Sequence, residues 1–156
     1  MSRVRALLLV LPWIAGCGYS FGHLYEHPAV RVRVFDNVDE RRTHEFDLTQ
    51  AVIRELQADG IRVNAHDAPV ELVCTIEQIQ QPSAVEGQGD VVIVGSFSFR
   101  LKAELKDIAT GKEIRHGERV EQATFSTARA ESQETARQQV FDKLARWVAT
   151  TLEASW

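Results

Sequence analysis

The sequence predicts an α+β fold, in which two helices pack on one face of a roughly four-stranded, mixed and mostly antiparallel sheet. Two observations support this prediction. Several segments alternate apolar and polar residues, which is typical of strands with one buried face. Two other segments carry an apolar stripe at helical spacing, and the second of them ends the chain. One-sided strands and one-sided helices can bury each other in two layers.

The alternating segments are residues 29–35, 70–80 and 90–106. The third is the clearest, and its apolar side consists of Val91, Ile93, Gly95, Phe97, Phe99, Leu101, Ala103 and Leu105. Residues 112–125 return as a further strand after the turn-rich "IATGKE". The alternation of this strand changes phase between Val120 and Ala123, so we expect a bulge near Gly117 or Glu121.

The first helix is predicted to begin with Asp47 as its N-cap and to end before Gly60, which suits the left-handed residue after a helix. The second helix is predicted over residues 131–153. Its apolar stripe consists of Val140, Leu144, Trp147, Val148 and Leu152. The short "IRVN" segment after the first helix reads as a strand, which gives a strand–helix–strand unit that can pair in parallel.

The amino terminus has the pattern of a bacterial lipoprotein leader. Arg3 and Arg5 precede an apolar run too short to span a membrane as a helix, and residues 14–17 read Ile-Ala-Gly-Cys. We therefore predict a signal peptide over residues 1–16 and lipidation of Cys17 by a diacylglycerol and an N-acyl group. The alternative is an ordinary leader that happens to contain a cysteine. Gly18 in place of an aspartate favours the outer membrane, with the protein on its periplasmic side.

Residues 17–28 are then a lipidated tether, and residues 29–156 form one domain. The full chain carries 18 basic and 22 acidic side chains, and this negative balance argues against nucleic acid as a partner. Cys74 falls in phase with Leu72 and Ile76, which predicts a buried thiol; pairing with another chain is the alternative.

The sequence contains none of the common catalytic or phosphate-binding motifs, and we expect neither an enzyme nor a metal site. His23 and His27 are four residues apart, a spacing that can bind a metal on a helix, but they lie in the predicted tether and not on a helix. A cluster of carboxylates in the first loop could serve acid–base chemistry, but charges in a polar loop are usually solvated. Its members are Asp36, Asp39, Glu40 and Glu45.

Two groups of basic residues are candidates for contact with an anion. Arg41, Arg42 and His44 precede the first helix, whose N-terminus attracts negative charge. Arg100, Lys102 and Lys106 share the polar side of the long strand, where their spacing could suit several phosphates. The alternative for both groups is an ordinary solvated surface, and Glu104 interrupts the second.

Taken in order, several segments resemble the lipopolysaccharide-assembly lipoprotein family LptE. They are "CGY" at 17–19, "VRVRVF", "LTQAVIRELQADGIRV", "GSFSFRLKAEL" and "QQVFDKLARWVATTL". The resemblance implies an outer-membrane lipoprotein that assists assembly of the β-barrel translocon LptD and plugs it, and that handles lipopolysaccharide. It also implies two helices on a four-stranded sheet.

The sequence departs from the family pattern in the region that contacts lipopolysaccharide. In the family, contact with this lipid is attributed to basic side chains at one end of the sheet, including the loop before the long strand. Here that loop reads "VEGQGD" and has no Lys or Arg.

The sequence is also compatible with a second function. A periplasmic regulator with a TolB-like strand–helix–strand core would act on a cell-wall synthase or form part of a secretion pore.

Overall fold

The structure is a computed structural model that describes residues 25–39, 44–86 and 92–153. Helix α1 spans Glu45–Ala58 and α2 spans Gln133–Thr151, with a 3-10 turn at Thr127–Arg129 before α2. The strands are β1 Ala29–Val32, β2 Asp36–Asn37, β3 Arg62–Val63, β4 Val70–Gln80, β5 Ser83–Glu86, β6 Val92–Asp107 and β7 Glu113–Ser126.

All seven strands belong to one sheet. The main path runs β3, β1, β4, β6, and β7 pairs with the far side of β6. Strand β2 pairs with β4 beyond the end of β1, and β5 pairs with β6 beyond the end of β4. Strand β1 is parallel to β3 and β4, whereas β4, β6 and β7 are antiparallel neighbours. The predicted fold class is confirmed, but the sheet has more strands than four, because segments of two to four residues are too short to show an alternating pattern.

Both helices pack on the same side of the sheet. Their buried side chains meet the apolar row of β6, in which Phe97, Phe99 and Leu101 are at most 1% exposed. In α2 the predicted stripe is buried except Trp147, which is partly buried against the same core. Burial of each such side chain contributes about 1.5–3 kcal/mol. The prediction for Cys74 is also confirmed, since this thiol is 1% exposed and lies in the core.

Helix α1 begins earlier than predicted. Its N-cap is His44, whose carbonyl oxygen accepts a hydrogen bond from the Leu48 amide, so Asp47 lies inside the first turn. The carboxylate of Asp47 contacts Arg137 instead of capping the helix. The predicted end is confirmed: Asp59 is the C-cap, and Gly60 follows with a φ of 84°.

The two helices run parallel, so the molecule has two distinct ends. At the Tyr25 end, the Tyr25 hydroxyl donates to Asp59 after α1, and the Tyr25 backbone pairs with Glu153 after α2. At the His44 end, both helices begin. With a rise of 1.5 Å per residue, the helices measure about 21 and 28 Å. The last residues of the predicted tether therefore contact the domain.

Strand β7 contains a bulge, but the predicted position of this bulge is wrong. The register shift lies between Leu105 and Lys106 of β6, opposite Ile114, and not at Gly117 or Glu121. The change of phase in the sequence has a different cause. Glu121 pairs with Phe99 and thus occupies a position on the helix side of the sheet, whereas Val120 points to the other side and is 52% exposed.

Substitution of Leu144 by Ala should destabilise the fold by about 2–5 kcal/mol, because this fully buried side chain fills the space between α2 and the sheet. Alanine favours helices, so the loss would come from packing and not from helix propensity. Urea unfolding followed by tryptophan fluorescence measures the change. The matched control is Arg146→Ala, an exposed position in the same helix, which should change the free energy of unfolding by less than about 0.5 kcal/mol. Equal losses in the two variants would contradict the packing described.

Candidate functional site

The side of the sheet away from the helices is a broad polar surface, which we call the open face. No helix among the described residues covers it. The register places these side chains on it: Glu71, Val73, Thr75, Gln78 and Gln80 of β4; Ser98, Arg100, Lys102, Glu104 and Lys106 of β6; and His116, Glu118, Val120, Gln122 and Thr124 of β7. All of these residues are at least partly exposed.

The predicted row of basic residues lies on the open face, but each member is paired with a carboxylate. Glu104 stands between two lysines, with Lys102 Nζ at 2.6 Å and Lys106 Nζ at 2.7 Å from its carboxylate oxygens. Hydrogen bonds from Lys102 and then Lys106 lower the pKa of Glu104 to about 2. Arg100 pairs across to Glu118 on β7 at 3.0 Å.

The structure therefore brings Arg100, Lys102 and Lys106 together without making them a free cationic row. The open face carries three basic side chains and four carboxylates, because the register also places Glu71 and Glu113 on either side of Lys106. Such a surface is polar and close to neutral. It suits another polar surface with charges of both signs better than it suits a run of phosphates.

The other predicted site residues lie outside the described residues. These are Cys17, Arg41 and Arg42, and also His23 and Glu40. Two carboxylates of the first loop are described and have structural roles. Asp39 accepts a hydrogen bond from the Ile79 amide, and Glu45 accepts one from the Asn37 side chain. Within the described ranges there is no cluster of side chains that could hold a metal ion.

A second group of residues meets at the His44 end. The sequence predicted His44 as part of a basic group before the first helix, and the structure places its ring in an aromatic cluster instead. The His44 ring packs edge-on among three aromatic rings, with centroid distances of 5.8 Å to Phe97, 5.5 Å to Phe99 and 6.1 Å to Phe141. Strand β6 supplies the first two rings and α2 supplies the third. The N-terminus of α1 is thus held against the sheet by an aromatic contact.

Arg137 of α2 joins the two helix N-termini. Its Nη1 donates to His44 Nδ1 and to Asp47, both at 3.2 Å, and its Nη2 donates to Glu134 at 2.5 Å. The guanidinium also lies 5.6 Å from the centre of the Phe141 ring. The spacing of Arg137 and Phe141, one helical turn apart, is the signal in the sequence that could have pointed to the contact of the guanidinium with this ring.

The His44 imidazole is neutral in this arrangement, because its Nδ1 accepts the hydrogen bond from Arg137. Burial and then the positive charge of Arg137 lower the pKa of His44, while Asp47, Glu45 and Glu134 act in the opposite direction. A cleft of about 350 Å³ opens beside this pair and is lined by both Arg137 and Glu134. With both signs of charge in its wall, the cleft does not select an anion.

Comparison with known proteins identifies the fold. No protein-family profile and no curated protein sequence matches this chain. Among solved structures, a Xanthomonas campestris protein of family DUF330 has a TM-score of 0.61 and 15% identity over 81% of this chain and 84% of that one. The PelC dodecamer of Paraburkholderia phytofirmans has a TM-score of 0.57 and 17% identity over 86% and 94% of the two chains.

The lipoprotein GNA1162 of Neisseria meningitidis is also similar, with a TM-score of 0.52 and 11% identity over 78% of this chain and 98% of that one. At these identities the comparisons show a shared fold. In the part of the chain that the structure describes, no helix is both long and apolar enough to cross a membrane.

Acidification should destabilise the protein through His44. A histidine whose folded pKa is lowered binds a proton more readily in the unfolded chain, so its stabilising effect is complete above the unfolded value of 6.5 and is lost as the pH falls below it. We expect the free energy of unfolding to fall between pH 7.5 and pH 5. His44→Phe should flatten this dependence while it keeps an aromatic ring in the cluster.

Urea unfolding at several pH values measures how the free energy of unfolding changes with pH in the unsubstituted protein and in the His44→Phe variant. His66→Phe is the matched control, since His66 is exposed and outside the aromatic cluster. This control should keep the slope of the unsubstituted protein. A His44→Phe variant with an unchanged slope between pH 7.5 and pH 5 would show that His44 does not carry the effect.

Proposed function

We propose that this chain is an outer-membrane lipoprotein, anchored through acylated Cys17, that assists assembly of the β-barrel lipopolysaccharide translocon LptD and plugs it. The observation that carries the proposal is the open face. A domain that buries only one side of its sheet presents a large uncovered surface to a partner. The interior of an outer-membrane barrel is also polar, so a near-neutral polar face is a suitable surface to seat against it.

The internal pairing of charges supports this role over direct binding of the lipid by the basic row. Lys102 and Lys106 are already hydrogen-bonded to Glu104, and Arg100 is bonded to Glu118. A phosphate would have to compete with these carboxylates. A barrel wall could instead meet the paired groups as they stand, with waters or polar side chains between them.

The position of the Tyr25 end is compatible with a membrane anchor. Tyr25 is tied to the domain, so at most residues 17–24 separate the predicted lipid from the folded part. Eight extended residues reach no further than about 28 Å. The Tyr25 end would therefore stay near the membrane surface, and the His44 end would be the one farther from the lipid.

The partner can be identified directly. Protein with a C-terminal tag, recovered from detergent-solubilised outer membrane, should carry a stoichiometric β-barrel whose electrophoretic mobility shifts on heating. Mass spectrometry of that band gives its identity. Recovery of the tagged protein with a cell-wall synthase, or without any barrel, would contradict the proposal. A Cys17→Ala variant is the control for the anchor and should leave the outer-membrane fraction.

Charge reversal on the open face should weaken the complex and leave the fold intact. We expect the double variant Arg100→Glu, Lys102→Glu to recover at least about tenfold less barrel, because both new carboxylates would lie beside Glu118 and Glu104 on the docking surface. Exposed ion pairs contribute little to folding, so the unfolding midpoint of the purified variant should fall by no more than a few degrees.

The matched control for this variant reverses charge on the helix layer. Arg146→Glu alters an exposed side chain of α2, on the opposite side of the molecule from the open face. It should recover as much barrel as the unsubstituted protein. Full recovery of the barrel by the open-face variant would show that this surface is not the interface.

A second function is favoured by the topology. Strand β1, helix α1 and strand β3 form a parallel strand–helix–strand unit, which is the core expected of a TolB-like periplasmic regulator or pore component. The fold likeness to the PelC dodecamer supports the same alternative. The same affinity recovery distinguishes the two functions, because a regulator or pore component would be recovered with a synthase or with many copies of itself, and not with one barrel.

A further inference from the structure

Strand β7 ends the sheet with a long unpaired edge. It has 14 residues and pairs with β6 on one side; among the described residues, no strand pairs with its other side. In an antiparallel strand at the edge of a sheet, every second residue directs both its N–H and its C=O away from the neighbouring strand. The contacts of two residues identify the outward set: Ser126 exchanges hydrogen bonds with Glu131, and the Gln122 carbonyl accepts from Lys143. The even-numbered residues therefore face outward.

These two contacts cover one end of the edge and leave the middle open. The backbone groups of His116, Glu118 and Val120 point outward beyond the reach of Glu131 and Lys143. Val120 is 52% exposed, although its chemistry favours burial. Charged residues on an edge strand usually prevent pairing with another chain. Whether they do so here depends on which charges would face each other.

We propose that β7 pairs antiparallel with β7 of a second copy of this chain, with Val120 on the two-fold axis. In this register Val120 lies opposite Val120 of the other copy, and Glu118 lies opposite Gln122. On the helix side, Arg119 of each copy lies opposite Glu121 of the other. Directly opposed side chains in an antiparallel pair approach within about 5 Å, so two ion pairs form across the interface.

The neighbouring registers are unfavourable because each places like charges together. A shift in one direction sets Arg119 against Arg119, and a further shift sets Glu118 against Glu118. A shift in the other direction sets Glu121 against Glu121. Pairing of residues 116–124 in the proposed register forms about ten backbone hydrogen bonds. Order and spacing in "ERVEQ" thus favour this register over the registers centred on Glu118, Arg119 and Glu121.

The pairing requires one local change and is independent of the barrel partner. Lys143 has to release the Gln122 carbonyl, which then accepts from the Glu118 amide of the other copy. Lys143 is exposed and can turn into solvent. The β7 side chains belong to the open face, but the pairing also uses the outward backbone groups of this strand. Recovery of the barrel and self-association are measured separately, so failure of the plug function and failure of self-association have separate readouts.

Cysteine cross-linking of the full-length chain in detergent micelles tests the register. Val120→Cys should form a disulfide-linked dimer under mild oxidation, because the two Cα atoms would lie about 5.5 Å apart, within the range for a disulfide. Thr124→Cys is the matched control and should stay monomeric, since its copies would be about 26 Å apart. A mixture of His116→Cys and Thr124→Cys proteins should give the mixed dimer.

Charge exchange tests the ion pairs in the same protein by sedimentation. Arg119→Glu sets carboxylates against each other and should weaken self-association at least about tenfold, whereas the double variant Arg119→Glu, Glu121→Arg should restore it. Arg62→Glu reverses a charge at the opposite edge of the sheet and should have no effect. Val120→Pro should abolish the dimer, because it removes an outward amide that β6 does not use.

Three results would overturn the pairing itself, and a fourth would refute its register. The first is a monomer at every concentration measured, with no Val120→Cys dimer. The second is equal cross-linking of Val120→Cys and Thr124→Cys, which would indicate random collisions. The third is cross-linking of Val120→Cys to a larger barrel protein in cells with none to itself, which would assign this edge to the other partner. Retention of the dimer by Arg119→Glu would refute the register.

Discussion

The rest of the structure depends on burial of the apolar row of β6. Phe97, Phe99 and Leu101 are central in the sheet and buried. Helix α2 packs against β6, and the ring of His44, at the start of α1, contacts both phenylalanine rings. Once this row is covered, the alternation of the strand places its polar residues on the other side, where the described residues provide no cover. The open face is thus a direct consequence of the core.

The parallel arrangement of the helices creates a second constraint. Two helix N-termini at one end bring together two partial positive charges, which carboxylates in the first turns offset. Glu45 and Asp47 supply them in α1, and Glu134 supplies one in α2. Arg137 bonds to Asp47 and Glu134 and so links the helices through these same groups. At the other end, Arg115 donates to the carbonyls of Thr151 and Glu153, which carry the opposite partial charge.

Charge is balanced locally over much of the surface. Glu104 lies between Lys102 and Lys106, and Arg119 lies beside Glu121 in the same strand. Because partners are adjacent in the sheet, each patch is nearly neutral and carries no strong field. The geometry of paired charges, and not the sign of a patch, then determines what fits the surface. The same property distinguishes one register of β7 from its neighbours.

The sequence by itself determined the fold class, the long strands, the apolar stripe of α2 and the burial of Cys74. These follow from periodicity, which is a local property, and the end of α1 follows from the conformational freedom of Gly60. The family resemblance and the lipidation of Cys17 remain predictions from the sequence.

Only the tertiary structure decided which side chains meet across distant segments. His44 and Arg137 are 93 residues apart, and nothing in their own neighbourhoods predicts that the imidazole accepts a hydrogen bond from the guanidinium. Glu118 pairs with Arg100 because β6 and β7 are in one register, and a shift of one residue would separate them. The basic row was visible in the sequence, but its neutralisation depends on strand pairing. Local patterns specify which face of an element is buried, whereas contacts between elements depend on the register and angle at which they pack.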